Sequence, residues 1–349
     1  MKMKMKKKSI LGAIGLSAML MLAACSSDKE GASSSDGGKA ESEGKSYNLK
    51  MSVTVNDSST WYQAADKLSK DLKEETDGRI NIEVYPNEQL SNGDQGKGVE
   101  LLTKGQTDLS LHSTIIYSIL DDRFGVASAP FLFKDKDGVD KVFNGAGGEA
   151  IGEILNEKNV ELLGFGENGF RQITNSKKEI KSPEDMKGLK VRIPGITMYT
   201  DLYRALGADP TTMAFSEVFT SLQQGTIDGQ ENPIDVIHSS KLNEVQDYLT
   251  TWNYSYDPLV LGINKKLFDS MSKEDQELVK KLGKEAAQYQ VEIAREKEAK
   301  QIDELKDAGM QFYAPTDEEL AKFTEAVQPV YDKYEDIWGK DLLDKFRDQ

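Results

Sequence analysis

The sequence predicts an α/β protein of two domains bridged by one long helix. Three observations predict it. Short apolar runs alternate at period two, and stretches of helical spacing separate most of them. The 349 residues exceed the length of one ordinary domain. A helical pattern over residues 272–307 extends on the order of 50 Å at 1.5 Å per residue, enough to run across two domains.

The first segment stands apart from this pattern. Lys2, Lys4, Lys6, Lys7 and Lys8 precede an apolar run over 10–24. That run is short for a membrane-spanning helix, which needs roughly 20 apolar residues, and it fits the apolar region of a secretory signal. It ends Leu22-Ala23-Ala24-Cys25, which resembles a bacterial lipobox with Cys25 as the lipidated first residue of the mature chain. A plain signal peptide with an incidental cysteine is the alternative. Residues 25–46 are Ser, Gly, Asp, Glu and Lys with almost nothing apolar, and read as a disordered tether. A lipid anchor with a tether suits a cell with a single membrane, so a Gram-positive source is expected.

The folded part begins with a strand at Leu49, Met51, Val53 and Val55. A helix follows with Ala64, Ala65, Leu68 and Leu72 on one face, then a strand at Ile80, Ile82 and Val84. This β-α-β unit implies parallel pairing. A helix over 94–104 leads to a strand at Leu109 and Leu111. The run 129–133 is apolar, 137–158 reads as a helix weakened by Gly145, Gly147 and Gly148, and 160–165 reads as a strand. A second α/β stretch opens near Phe170 with another short strand. Ser182-Pro183 starts a short helix that Gly188 ends. Then come a strand over 190–194, a helix over 197–206, a strand over 211–215, a helix capped by Ser216, a helix over 234–241 and a strand over 259–263. Ser272 with Asp275 forms the pattern of a capping box at the head of the long helix.

Composition excludes several chemistries. The formal charge is −15, and five of the 44 basic residues but none of the 59 acids lie in 1–24, so the remainder carries about −20. So acidic a chain is a poor nucleic-acid binder. A single cysteine allows neither an internal disulfide nor a thiolate cluster. His112 and His238 lack a second ligand at metal spacing, no G-x-S-x-G elbow occurs, and no cofactor motif is complete. Gly93, Gly96, Lys97 and Gly98 lack phosphate-loop spacing and read as a turn. Asp135, Asp137, Gly138 and Asp140 lack calcium-loop ligands at the end positions and read as a helix start. No catalytic constellation is visible, so the chain is read as a non-enzyme.

Arginine is more informative. There are seven against 37 lysines. Arg192 sits mid-strand between Val191 and Ile193, and Arg171 sits in Phe170-Arg171-Gln172-Ile173-Thr174. A guanidinium fork holds a carboxylate bidentately, which lysine cannot do. On spacing alone, ligand binding and a surface salt bridge are equally good readings.

A longer pattern weighs on that choice. Lys187-Gly188-Leu189-Lys190-Val191-Arg192-Ile193-Pro194 continues through Leu206-Gly207-Ala208-Asp209-Pro210, Met213-Ala214-Phe215-Ser216-Glu217-Val218, Leu222-Gln223-Gln224-Gly225 and Asp228-Gly229-Gln230-Glu231-Asn232-Pro233. With Gly169-Phe170-Arg171-Gln172, Val84-Tyr85-Pro86-Asn87 and Pro130-Phe131-Leu132-Phe133, it resembles the DctP-like extracytoplasmic solute-binding proteins of TRAP transporters over about residues 47–335. The resemblance implies a periplasmic-binding-protein-like, type II-like receptor: two α/β domains, a hinge and a long domain-spanning helix. The expected division is 47–168 with 257–297 as one domain and 169–256 with 298–349 as the other. The resemblance further implies a small organic acid as ligand, a C4-dicarboxylate being the commonest guess, delivered by a monomer to an ion-coupled TRAP permease. It gives Arg192 the ligand carboxylate, Arg171 a second contact, Asn232 a donor role and Phe215 a place in the pocket wall. Thr54, Trp61 and Ser113 lie where the first domain lines the cleft, with Tyr256 a further candidate. Structural readings stand beside these: Phe215 as core, Asn232 as a turn residue before Pro233, Trp61 packed on its own domain. A ligand-binding partner of a sensor kinase and a surface enzyme acting on an organic acid are the rival functions.

Overall fold

The computed structural model describes residues 44–347. The basic and apolar leader, Cys25 and nearly all of the tether lie outside the described residues. Nine strands share one sheet: β1 (Tyr47–Val53), β2 (Ile80–Tyr85), β3 (Leu109–Ser113), β4 (Val160–Asn175), β5 (Lys190–Ile193), β6 (Asp209–Thr212), β7 (Gly229–Asn232), β8 (Tyr248–Asn264) and β9 (Gln311–Tyr313). Their order is β2-β1-β3-β8-β4-β7-β5-β6, with β9 also on β8. Within each wing the pairing is parallel: β1 with β2 and β3, and β5 with β6 and β7.

β4 and β8 join the wings. They pair antiparallel from Val160↔Asn264 to Asn175↔Tyr248. The later half of β8 carries β3, while the later half of β4 carries β7. Each long strand therefore starts in one wing and ends in the other. The sequence reading divided β4 into two strands and saw only the end of β8. Three register shifts explain the break in pattern, at Leu162/Gly164, Glu167/Gly169 and Arg171/Ile173. Gly169 has φ +105°, a conformation that favours glycine, and it re-aims the chain just before Arg171.

The long helix is Lys273–Asp307, 35 residues, with Ser272 as its N-cap. It lies on β4 at close range. A Cβ on Gly164 would stand 2.6 Å from Ala287 Cβ, and one on Gly283 would stand 2.7 Å from Leu163 Cβ. Three polar contacts distribute the helix over both wings. Asp275 accepts from Arg79 beside β2, Gln290 serves the β4 bulge, and Gln301 donates to Asp235 at 2.6 Å. Gln290 Oε1 accepts from the Glu167 N–H at 2.6 Å and its Nε2 donates to the Glu167 carbonyl at 2.8 Å, so a bulge that leaves backbone groups without ladder partners is satisfied by a side chain.

Other expectations shift. The helix expected over 137–158 is two, Lys136–Phe143 and Ala146–Glu157, because Gly145 is not helical. Asp135 caps the first of them, accepting from the Gly138 N–H at 2.9 Å. The apolar run 129–133 follows a 3-10 turn, Asp122–Ser128. The strand placed at 211–215 lies at Asp209–Thr212, and Phe215 belongs to a 3-10 turn. Ser216 caps nothing; its hydroxyl donates to the Gly93 carbonyl at 3.3 Å. The Ser272 box is half-formed: Ser272 Oγ accepts from the Asp275 N–H at 3.1 Å, but the Asp275 carboxylate turns to Arg79 instead.

Apolar packing follows the wings. Met51, Val53, Leu68, Ile80, Leu111 and Val279 are fully or almost fully buried around β1–β3 and the helix Thr60–Glu75. Val191, Tyr199, Leu202, Trp252, Tyr254, Phe323 and Tyr334 belong to the largest core, which draws in the C-terminal helices. Val218, Leu222, Ile237, Leu249 and Leu305 pack on the other face of the second wing.

Candidate functional site

Parallel strands in open α/β sheets present ligands at their carboxyl ends. Here those ends face one cavity. Thr54 follows β1, Ser113 ends β3, Pro194 follows β5 and Asn232 ends β7. The cavity holds about 380 Å³ between atoms, counting its mouth. Seven of the expected residues line it together: Thr54, Trp61, Ser113, Arg171, Arg192, Phe215 and Asn232. Val55, Ile115, Ile116, Pro194 and Val236 add apolar wall, and Gln95, Asn168 and Asp257 add polar wall.

Tyr256 is not among them. It neighbours Asp257 on β8, and alternation sends the two side chains to opposite faces. Its ring packs against Phe133, Phe143 and Phe170, and its hydroxyl donates to Glu167 Oε2 at 3.1 Å. It serves the core and not the cavity.

Arg192 comes from β5, whose central residues are buried on both faces. It is 2 % exposed, yet among the described residues no acid pairs with it. Its Nε and Nη2 donate to one acceptor, the Met213 carbonyl, at 3.2 and 2.8 Å. The Phe215 ring lies 5.7 Å from the guanidinium carbon. Burial pushes Arg192 down to about 10, so it remains charged at neutral pH. Glu231 acts on it only at longer range and Arg171 opposes its charge, and a buried cation without a directly paired counter-charge is unfavourable by several kcal/mol unless something neutralises it.

Arg171 is equally buried and fully engaged. Its Nε donates to Glu231 Oε2, Nη2 to Glu231 Oε1 at 2.8 Å and to Asn232 Oδ1 at 3.1 Å, and Nη1 to Asp257 Oδ2 at 2.5 Å. Burial opposes its charge, but Glu231 and Asp257 prevail and hold it well above the usual range. The second contact expected from Arg171 thus meets a guanidinium already held by two acids. Burial raises Asp257 against the opposing effects of Arg171, Ser113 and Asn168.

The remaining polar groups are ordered behind these two. Ser113 Oγ donates to Asp257 Oδ1 at 2.5 Å. Asn168 Nδ2 donates to Asp257 Oδ2 at 2.7 Å. Asn232 Nδ2 donates to Gln230 Oε1 at 2.6 Å. Thr54 donates to Glu88 Oε1 at 2.9 Å, and Glu88 also meets Ser52, Ser91 and His112. Glu88 is buried, which would raise it, but His112, Ser91 and Thr54 outweigh burial and lower it. Two lining groups keep a buried polar atom with no partner, the Trp61 indole N–H and Asn168 Oδ1.

Sequence reasoning missed Asn168, Asp257 and Glu231. Asn168 stands one residue before the quoted Gly169-Phe170-Arg171-Gln172 motif, so extending that motif backwards would have reached it. Glu231 lies inside the quoted 228–233 motif without a role. Asp257 carried no signal in a chain with 59 acids.

His238 lies near the surface beside Glu304 at 2.8 Å, and His112 is buried against Glu88. Among the described residues no group of three or more His, Cys, Asp or Glu is arranged to hold a metal ion. Among the same residues no helix is long and apolar enough to cross a membrane.

Known proteins match this architecture. The family model described as bacterial extracellular solute-binding protein, family 7 (DctP), matches residues 51–336. The 2,3-diketo-L-gulonate-binding periplasmic protein of Escherichia coli is 32% identical over 294 residues, covering 84% of this chain and 88% of that one. The C4-dicarboxylate-binding protein DctB of Bacillus subtilis is 30% identical over 296 residues, covering 84% of each. A crystal structure of a TRAP periplasmic solute-binding protein from Ralstonia eutropha with bound (S)-2-acetolactate superposes with a TM-score of 0.84 at 34% identity, covering 86% of this chain and 97% of that one.

Proposed function

The chain belongs to the family-7 bacterial extracellular solute-binding proteins, and we propose that it captures a small organic acid in the cavity between its wings and delivers it to a TRAP permease. The observation that carries this reading is Arg192. A charged guanidinium is held in the cavity wall by one backbone carbonyl and an aromatic ring, with no acid of its own. A ligand carboxylate supplies the missing charge, and the fork geometry takes both of its oxygens. Asn232 adds an amide donor, and Phe215 and Trp61 bound the volume. The role is binding and release, without catalysis.

The proposal extends to motion. Residues 47–168 with 257–297 form one lobe, and 169–256 with 298–349 the other. Contacts between them include Asn56 Nδ2 to the Ser239 carbonyl at 2.9 Å and Thr60 Oγ1 to Asp235 Oδ2 at 2.9 Å. Such contacts favour closure once a ligand is seated. The receptor acts as a monomer, tethered at Cys25 by a lipid to the outer face of the cell membrane of a Gram-positive bacterium. Cys25→Ser should release it into the medium; membrane retention after detergent-free washing refutes the anchor.

Calorimetry with organic acids tests the central reading. Arg192→Lys keeps the charge but loses the fork, and affinity should fall at least about tenfold with the fold intact. Unchanged affinity removes Arg192 from the site.

A further inference from the structure

The cavity carries more information than the presence of one arginine. Its lining contains two cations, Arg171 and Arg192, and one acid, Asp257. Arg171 is held by Glu231 and Asp257. One cation is therefore available to an anionic ligand. A second carboxylate on the same ligand would find no free cation in the wall and would face Asp257.

The polar wall also has a direction. Asp257, as a carboxylate, only accepts hydrogen bonds. The Asn168 amide nitrogen donates to it at 2.7 Å, which fixes the flip of that amide. Asn168 Oδ1 is consequently presented as an acceptor, buried and without a partner. Asn168 itself is 6 % exposed. An unmet buried acceptor in a binding cavity selects for a donor, since leaving it unpaired weakens binding by about tenfold. A carboxylate, a ketone or an alkyl carbon has no proton to give, but a hydroxyl does. The Trp61 indole N–H, also unpaired, takes an oxygen of the same ligand.

Building on the reading that this cavity holds an organic acid, we infer that its ligand is a short monocarboxylate bearing at least one hydroxyl. Arg192 takes the carboxylate, Asn168 Oδ1 takes the hydroxyl proton, and Asn168 is a specificity-determining residue. Unsubstituted dicarboxylates are rejected by the shortage of free cations and by Asp257.

Four probes of equal carbon count separate the terms: erythronate, butyrate, succinate and malate, titrated calorimetrically into the purified protein. Erythronate should bind tightest. Butyrate, which lacks the hydroxyls, and succinate, which adds a carboxylate, should each be weaker by about tenfold or more, and malate should fall below erythronate. Asn168→Leu should bring erythronate and butyrate within about threefold of each other. Should that variant fail to fold, the four affinities of the unaltered protein decide alone. Succinate, malate or butyrate binding as tightly as erythronate, with Arg192→Gln abolishing it, overturns this inference and leaves the organic-acid reading standing. Failure of all four acids to bind the folded protein overturns both.

Discussion

Arg171 and Arg192 are both buried, on strands separated only by β7, yet they meet burial in opposite ways. Arg171 stands where β4 crosses to the second wing and is surrounded by Glu231, Asp257 and Asn232. Arg192 stands within the second wing and touches a carbonyl and a ring. The difference teaches that residue type and burial do not define a ligand contact. What defines it is charge left uncompensated by the protein itself. Arg171 is tied into the scaffold by two acids, and Arg192, on the proposed function, is the cation left for a ligand carboxylate.

The largest expected effect tests the first half of that contrast. Arg171→Met strands Glu231 and Asp257 without their cation, and removing one partner of a buried pair costs about 3–5 kcal/mol. Urea unfolding should show it, and a loss below about 1 kcal/mol would erase the distinction. Arg192→Gln should do the reverse. Stability stays level or rises, because a desolvated charge disappears, while affinity for an organic acid falls at least about 100-fold. Destabilisation without loss of affinity would make Arg192 a second scaffold residue.

Phe215→Ala sharpens the picture around Arg192. Loss of the ring removes about 1 kcal/mol of cation–π contact, so affinity should drop about fivefold in the same titration. An unaltered affinity would reduce Phe215 to wall. Glu88→Gln has the smallest expected effect and lies furthest from the two arginines. Glu88 is held below its ordinary value of 4.5. Its contribution is therefore full above that pH and lost as pH falls through the lower folded value. Thermal melts of the native protein and the variant should differ at neutral pH and converge in acid. A gap that widens in acid would show that the Thr54 wall does not depend on the Glu88 charge.

These residues also show what a sequence can and cannot disclose. The two parallel wings were legible because β1, β2 and β5 carry alternation, and the long helix because its spacing persists over 35 residues. The crossing strands were not, since Gly164, Gly166 and Gly169 interrupt their pattern where bulges and close helix packing require it. β7 was missed because Gly229-Gln230-Glu231-Asn232 is polar throughout, yet all four residues are buried. The site divides in the same way. Arg192 and Phe215 came with a local motif. Asn168 and Asp257 take their meaning from each other across 89 residues, and no local pattern encodes that meeting.

The Met213 carbonyl has a kinetic consequence. It positions the guanidinium but occupies only Nε and Nη2, so an arriving carboxylate need not displace an internal acid from Arg192. Entry therefore requires no ion pair to rupture first. The association rate should follow diffusion into the cleft and the movement of the lobes, and selectivity among acids should appear in how long each one stays.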